Sequence, residues 1–278
     1  MLHGLRKVVR DKVVRALEEV TGCHAAEQAA HIAELRREVA DLNGRRSRDL
    51  HEQAGHIAAT VKEAVRSGRP DMSQAGELEA TLQSAALILE HMREAQALHS
   101  ARQTLEHALT LASRDGMALE FGVYTGSTLE VIAHARDKKS VYGFDSFQGL
   151  PETWRPGFLA GTFAMDGLPD VPGAELVVGT FDATLPGFLA EHAGPVDFLH
   201  VDCDLYASTK TVLDHVGPHL HPGSIVVFDE YVNYPGWQEH EHRAWSEYIE
   251  RTGLRFEYAG YTVDHEQVIV RVLGTSGS

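Results

Sequence analysis

The sequence predicts an α/β fold: a mostly parallel sheet of seven strands ending in an antiparallel hairpin, preceded by an α-helical N-terminal region. Three observations predict it. Residues 1–113 contain one proline, Pro70, and repeat apolar residues at intervals of three and four. From Met117 onward, short apolar runs alternate with helical segments, as strands and crossover helices do in a parallel sheet. Near the C-terminus two strand-like runs are separated only by "VDH", too short for a crossover, so they must pair antiparallel. The expected division is residues 1–113 for the helical region and 114–278 for the α/β domain.

In the helical region, Ile32, Leu35, Val39 and Leu42 share one face, as do Ala54, Ile57, Val61 and Val65. "NGRRSRD" at 43–49 breaks two helices apart. "SGRPDMSQ" at 67–74 reads as a linker, with Asp71 or Ser73 capping the next helix. Leu78, Leu82, Ala86, Leu89 and Met92 form a third stripe. Packing is the expected role, with a homo-oligomer built through the N-terminal helices. The α/β part then follows in order. "MALEFGV" is a strand and "STLEVIAHARD" a helix. "SVYGFDSF" is a strand, and "AELVVGTF" another after a Gly/Pro-rich loop at 149–173. "PGFLAEHAG" is a short helix, "VDFLHVDCD" a strand, "ASTKTVLDHVGPHL" a helix and "GSIVVFDEY" a strand. "GWQEHEHRAWSEYIERTG" is a helix, and "RFEYAGYT" with "EQVIVRVL" makes the hairpin. The tail "GTSGS" is expected to be disordered. A parallel sheet ending in such a hairpin is the pattern of Rossmann-like class I methyltransferases.

Charge and cysteine usage narrow the function. The 278 residues carry a formal charge of −15. Up to position 108 there are 15 basic and 16 acidic residues; beyond it, 10 and 24. Nucleic acid is therefore not an expected partner, because phosphate binding needs a basic face. An acidic half suits a divalent metal or a cationic cofactor. No apolar run is long enough to span a bilayer, and "MLHGLRKVVRDKVVRALEEV" lacks the uninterrupted apolar core of a signal peptide. Cys23 and Cys203 lie far apart, so no disulfide framework is expected. A cytoplasmic setting, with no membrane partner, is the expectation.

Ligands of open parallel sheets bind at the carboxyl ends of the strands. After the first of these strands comes Glu120-Phe-Gly-Val-Tyr-Thr-Gly126, where Gly122 and Gly126 permit a tight turn and close ligand approach. It is neither the dinucleotide pattern nor a P-loop, and Glu120 would repel a pyrophosphate. Asp145 follows 25 residues after Glu120, close to the offset at which an acid binds ribose hydroxyls; it could also cap the turn in "DSFQG". A ribose-containing, cationic cofactor without a diphosphate is S-adenosylmethionine. Asp202 and Asp204 end one strand, Asp229 and Glu230 the next. A β-α-β unit links the two strands, so they should be parallel and adjacent. Four carboxylates on one sheet edge repel one another and raise their own pKa values unless a cation intervenes. Oxygen ligands suit Mg²⁺ or another hard divalent ion; capping of the following helices is the plainer explanation of each acid taken singly.

These stretches resemble the macrocin O-methyltransferase family, metal- and S-adenosylmethionine-dependent enzymes that methylate sugar hydroxyls of macrolides and related natural products. The resemblance covers about residues 116–235. It is carried by "LEFGVYTGST", "VYGFDSFQGLPE", "FLHVDCDLYAST" and "PGSIVVFDEY". It implies that Glu120, Gly122, Val123, Tyr124 and Ser127 line the methionine and ribose part of the cofactor site. Asp145 would bind ribose, and Ser146, Phe181 and Asp182 would border the adenine. Asp202, Asp229 and Glu230 would hold the metal, with Asp204 as general base. The family usually has two adjacent Asp residues where this chain has Asp229-Glu230.

A sugar hydroxyl is a very weak acid, and an ordinary Asp titrates near ~4. A divalent ion on the acceptor oxygen would lower the hydroxyl pKa, leaving the proton to Asp204. The expected acceptor is a glycoside or free sugar. Two competitors stand: a catechol-type enzyme acting on an aromatic diol, and a cofactor-binding scaffold without turnover. His200, two residues before Asp202, is the reserve base or a buried, hydrogen-bonded histidine. His240 and His242 do not share a helical face, which argues against a zinc site. Trp237, Trp245 and Tyr248 either line an acceptor pocket or pack the last helix. Trp154 and Phe158, in the long loop, form a candidate acceptor wall. Cys203 is expected to be a small buried residue.

Overall fold

The computed structural model describes residues 71–275. The apolar stripes at 32–42 and 54–65, the break at 43–49 and Cys23 lie outside the described residues. The elements in order are α1 (Met72–His91), β1 (Gln96–Leu98), α2 (Ala101–Leu111), β2 (Met117–Phe121), α3 (Ser127–Ala135), β3 (Val141–Asp145) and β4 (Glu175–Val178). Then come α4 (Phe181–Glu191), β5 (Val196–Val201), α5 (Tyr206–Val216), β6 (Leu220–Phe228), α6 (Glu241–Thr252), β7 (Leu254–Thr262) and β8 (Val268–Thr275). The sheet order is β1-β7-β8-β6-β5-β2-β3-β4. Only β8 runs against its neighbours, β6 and β7.

Three expectations need correction. The sheet has eight strands, not seven, because Gln96–Leu98 adds parallel to β7 with Gln96 opposite Gly260. "QAL" has no β-branched or aromatic residue, so it carries no strand signal; pairing with an otherwise open edge makes it a strand. The compact unit begins at Met72, so residues 72–113 are part of it rather than of a separate helical region. Strand β8 runs to Thr275, so the expected loose tail gives its first two residues to the hairpin. On α1, Leu78, Leu82 and Leu89 are exposed, while Met92, just past its end, is buried.

Burial explains why the sheet is parallel and central. Every residue of β2 and of β5 is buried, as strands covered on both faces must be. Alternation sends Leu119, Phe121, Leu199, Val201, Val226 and Phe228 into the core under α4, α5 and α6. It sends Ala118, Phe198, Ile225 and Val227 to the opposite face, where Leu105 and Ala108 of α2 and Leu129 and Ile132 of α3 pack. Strand β2 pairs with β3 on one side and β5 on the other. The chain therefore winds outward both ways from the β2–β5 gap, and a ligand crevice opens at the carboxyl ends there.

Candidate active site

At that switch point the tips of β2 and β5 touch. Asp202 N–H donates to the Phe121 carbonyl, and a Cβ on Gly122 would stand 1.7 Å from the Asp202 carbonyl oxygen. Gly122 also has φ +95°, so no other residue fits. A cleft of about 720 Å³ opens beyond this contact, lined by the turns after β2, β3, β4, β5 and β6. Gly122, Val123, Tyr124, Ser127, Asp145, Ser146, Phe181, Asp182, Asp202, Asp204 and Glu230 all line it.

Asp145 ties together the turns after β2 and β3 at one end of the cleft. Its Oδ2 accepts the N–H groups of Val123 and Tyr124, each at 2.9 Å, and its Oδ1 that of Phe147 at 2.7 Å. The turn-capping role is therefore the one these hydrogen bonds display. Three of its roughly four acceptor positions are used, which leaves one for a ribose hydroxyl. Charged hydrogen bonds of this kind are worth ~1.5–3 kcal/mol. Asp145→Ala should weaken S-adenosylhomocysteine binding by about tenfold or more, read by titration calorimetry.

Glu120 does not line the cleft. Strand register sets it opposite His200 on the face shared with α2 and α3, and its Oε1 lies 2.8 Å from His200 Nδ1. Both side chains are fully buried. Of the residues expected around the glycine turn, Gly122, Val123, Tyr124 and Ser127 line the cleft.

The acids at the ends of β5 and β6 meet at one edge of the sheet. β5 and β6 are adjacent and parallel, with His200 opposite Val227. Two-residue alternation then puts His200, Asp202 and Asp229 on one side. Each offers one ligand atom, and these atoms all lie within 4.8 Å of one another. Glu230, one residue past Asp229, does not join this group; its N–H donates to Glu241 Oε2 at 3.0 Å. Among the described residues it is His200, and not Glu230, that completes this grouping. Burial first, then Asp229, pushes the Asp202 carboxyl well above the usual range, and the same pair of causes acts on Glu230. Burial works against Asp229 as well, but His200 and the Gln267 amide hold its carboxyl below the usual range. Burial likewise opposes charge on His200, yet Asp229 and Glu120 outweigh it and lift its pKa well above an ordinary histidine's. Glu230 Oε2 and Glu241 Oε1 are buried without hydrogen-bond partners. Such an edge is short of positive charge, and its donor set fits a divalent cation.

Asp204 stands beside this edge on the cleft. It is 7 % exposed and has φ +62°, the left-handed region that non-glycine residues seldom occupy. Burial pushes its carboxyl up to about 7, with Arg155 drawing it down and Asp229 and Glu266 adding to the rise. The general base expected from sequence is therefore far more basic than an ordinary Asp.

The remaining candidates separate cleanly. Trp237, Trp245 and Tyr248 are core residues under the sheet. His242 packs edge-on against Trp237, and neither His240 nor His242 enters a metal-sized grouping among the described residues. Cys203 is buried with its Sγ 3.5 Å from the Thr209 hydroxyl, and burial pushes its thiol well up, so it is no nucleophile. Trp154 and Phe158 do line the cleft. Sequence reading passed over their neighbour Arg155 and the buried Asp197; a charge inside the apolar run "VDFLHV" was the signal for the latter.

A family profile described as a methyltransferase domain matches residues 119–231. A tetracenomycin-pathway enzyme of Streptomyces olivaceus, an 8-demethyl-8-(2,3-dimethoxy-α-L-rhamnosyl)-tetracenomycin-C 4′-O-methyltransferase, is 28% identical over 156 residues. That match covers 46% of this chain and 58% of the relative, so it spans little more than half of that enzyme's length. A mycinamicin III 3″-O-methyltransferase of Micromonospora griseorubida is 27% identical over 241 residues, covering 75% of this chain and 86% of the relative. Among solved structures, the calicheamicin methyltransferase CalS11 superposes with a TM-score of 0.49 and 22% identity, over 76% of this chain and 95% of its own. A methyltransferase-domain profile thus lies across the switch point, and the chain is similar to O-methyltransferases of natural-product pathways.

Proposed function

We propose that the protein methylates a sugar hydroxyl of a glycosylated metabolite, using S-adenosylmethionine and a divalent cation such as Mg²⁺. One observation carries the reading: a buried carboxylate of raised basicity, Asp204, stands on the cleft beside a cation-deficient edge. When bound, S-adenosylmethionine supplies the methyl group and a divalent ion polarises the acceptor oxygen. Asp202, Asp229 and His200 would hold that ion, with Glu120 fixing the His200 ring through Nδ1. Gly122 lines the cleft where the cofactor would lie, and Asp145 tethers the turn that would receive it. Asp204 accepts the hydroxyl proton as the oxygen attacks. Trp154 and Phe158 wall the acceptor end against water. Both relatives are named O-methyltransferases, and one acts on a rhamnosyl derivative, which favours a sugar acceptor over a catechol. A cytoplasmic setting suits the free buried thiol of Cys203.

The test is S-adenosylhomocysteine formation with a panel of rhamnosides, other glycosides and catechols. Turnover with glycosides alone is the expected outcome. Chelator should lower it by about tenfold or more, and excess Mg²⁺ should restore it. Turnover with catechols alone would sink the sugar reading, and no turnover with any acceptor would leave only a cofactor scaffold. Chelator-insensitive turnover would remove the metal from the scheme.

A further inference from the structure

The acceptor end of the cleft is lined by Asp202, Asp204 and Glu230, groups that accept hydrogen bonds when ionised. A polyhydroxylated acceptor also needs donors. Among the described residues lining the cleft, Arg155 is the only Lys, Arg or His. Its surroundings fix it firmly. The guanidinium lies 3.9 Å from the Trp154 ring centre, 4.7 Å from that of Tyr234 and 5.1 Å from that of Phe158. Arg155 Nη1 donates to Glu266 Oε1 at 2.9 Å, across to the turn between β7 and β8. The side chain is nonetheless 22 % exposed. The backbone beneath is equally set: Trp154 N–H donates to the Phe158 carbonyl at 3.0 Å, and Phe158 N–H to the Arg155 carbonyl at 2.9 Å.

We propose that Arg155 is the acceptor-positioning residue, donating from its exposed guanidinium edge to a sugar oxygen other than the one methylated. A guanidinium has five N–H donors in a rigid fork, and Glu266 accounts for one of them here. Stacking on Trp154 and Tyr234 holds the plane of the fork, so little freedom is lost on binding. The aromatic wall continues through Phe158 to Phe163, with ring centres 5.7 Å apart, and on to Tyr124 at 5.4 Å. It offers apolar faces to the sugar's C–H groups while Arg155 reads an oxygen. The inference deepens the sugar O-methyltransferase reading and rests on it.

The plainer role for Arg155 is a bridge that pins the loop to Glu266. Kinetics with methyl α-L-rhamnopyranoside as acceptor separate the two, using wild type, Arg155→Met, Arg155→Lys and Glu266→Gln. Arg155→Met should raise the acceptor KM by about tenfold or more, as expected when a charged donor is lost. The S-adenosylmethionine KM and the Kd for S-adenosylhomocysteine should stay within about twofold, which also shows that the variant is folded. Arg155→Lys should recover part of the loss. Glu266→Gln removes the charge from the bridge but spares the fork, so it should keep most of the acceptor affinity. An unchanged acceptor KM in Arg155→Met, or a loss in Glu266→Gln equal to that of Arg155→Met, overturns the proposal while leaving the sugar reading intact. A wild-type protein that transfers methyl to no glycoside overturns both.

Discussion

Asp204→Asn should lower methyl transfer by about 10³-fold while leaving S-adenosylhomocysteine binding within about twofold. The substitution keeps shape and volume but removes the proton acceptor. It leaves the Asp145-tethered turn untouched, so cofactor affinity has no reason to fall. The pH profile gives a second reading of the same residue. Burial pushes the Asp204 carboxyl up to about 7, and its protonated form cannot take a proton from the acceptor. The rate should therefore fall as pH drops below that region, by tenfold per unit at the limit. A bound cation beside Asp204 draws the acid limb lower still, because it favours the ionised carboxylate. Acceptor titrations in the wild type from pH 5.5 to 9, with kcat/KM as the readout, check the sign. A rate that rises as pH falls across this range, or full turnover in the Asn variant, would take Asp204 out of the mechanism.

Much of this site was legible because strand ends mark ligand positions in parallel sheets. Gly122, Asp145, Asp202, Asp204 and Asp229 each follow an apolar run, and adjacency of β5 and β6 followed from the short crossover between them. What sequence could not give was register. Glu120 belongs to the glycine-turn motif, yet pairing of β2 with β5 seats it beside His200 and off the cleft. The same register brings His200 into the metal-sized group that the family pattern would have given to Glu230. Alternation already hinted at this, since His200 and Asp202 are two residues apart. Arg155 was invisible for another reason: the loop "ETWRPGFLAG" has no period, and the aromatic cage around Arg155 draws Tyr234 from 79 positions further along the chain. Likewise β1 acquires its strand conformation from β7, which no local propensity records.

The electrostatics of the opposite end of the sheet set the second large effect. Asp197 sits at the start of β5, 1 % exposed, where register between β5 and β6 slips by a bulge. Its Oδ2 accepts the Gly116 N–H at 2.6 Å, and its Oδ1 lies 2.8 Å from His221 Nε2. The buried guanidinium of Arg136 stands 3.6 Å away and donates to the Ser113 and Gly116 carbonyls. The acid thus ties together the segment before β2, the end of α3 and the start of β6. Removing one partner of a buried ion pair costs about 3–5 kcal/mol, because the other charge is left uncompensated. Asp197→Ala should therefore lower the melting temperature by roughly 10 °C. Turnover per folded molecule at low temperature should be unchanged, since Asp197 lies at the end of β5 away from the cleft. Burial alone would raise the Asp197 carboxyl, but the Gly116 N–H, His221, Ser113 and Arg136 together hold it below the usual range. A depressed carboxyl stabilises fully above the unfolded value near ~4 and loses that contribution as pH falls through the lower folded value. Wild type should accordingly lose stability over Asp197 alone below about pH 4, and the stability gap to Asp197→Ala should narrow there. Calorimetric melts of both proteins at pH 3 and pH 7 measure it; equal melting temperatures at pH 7 would show that Arg136 is satisfied without its carboxylate.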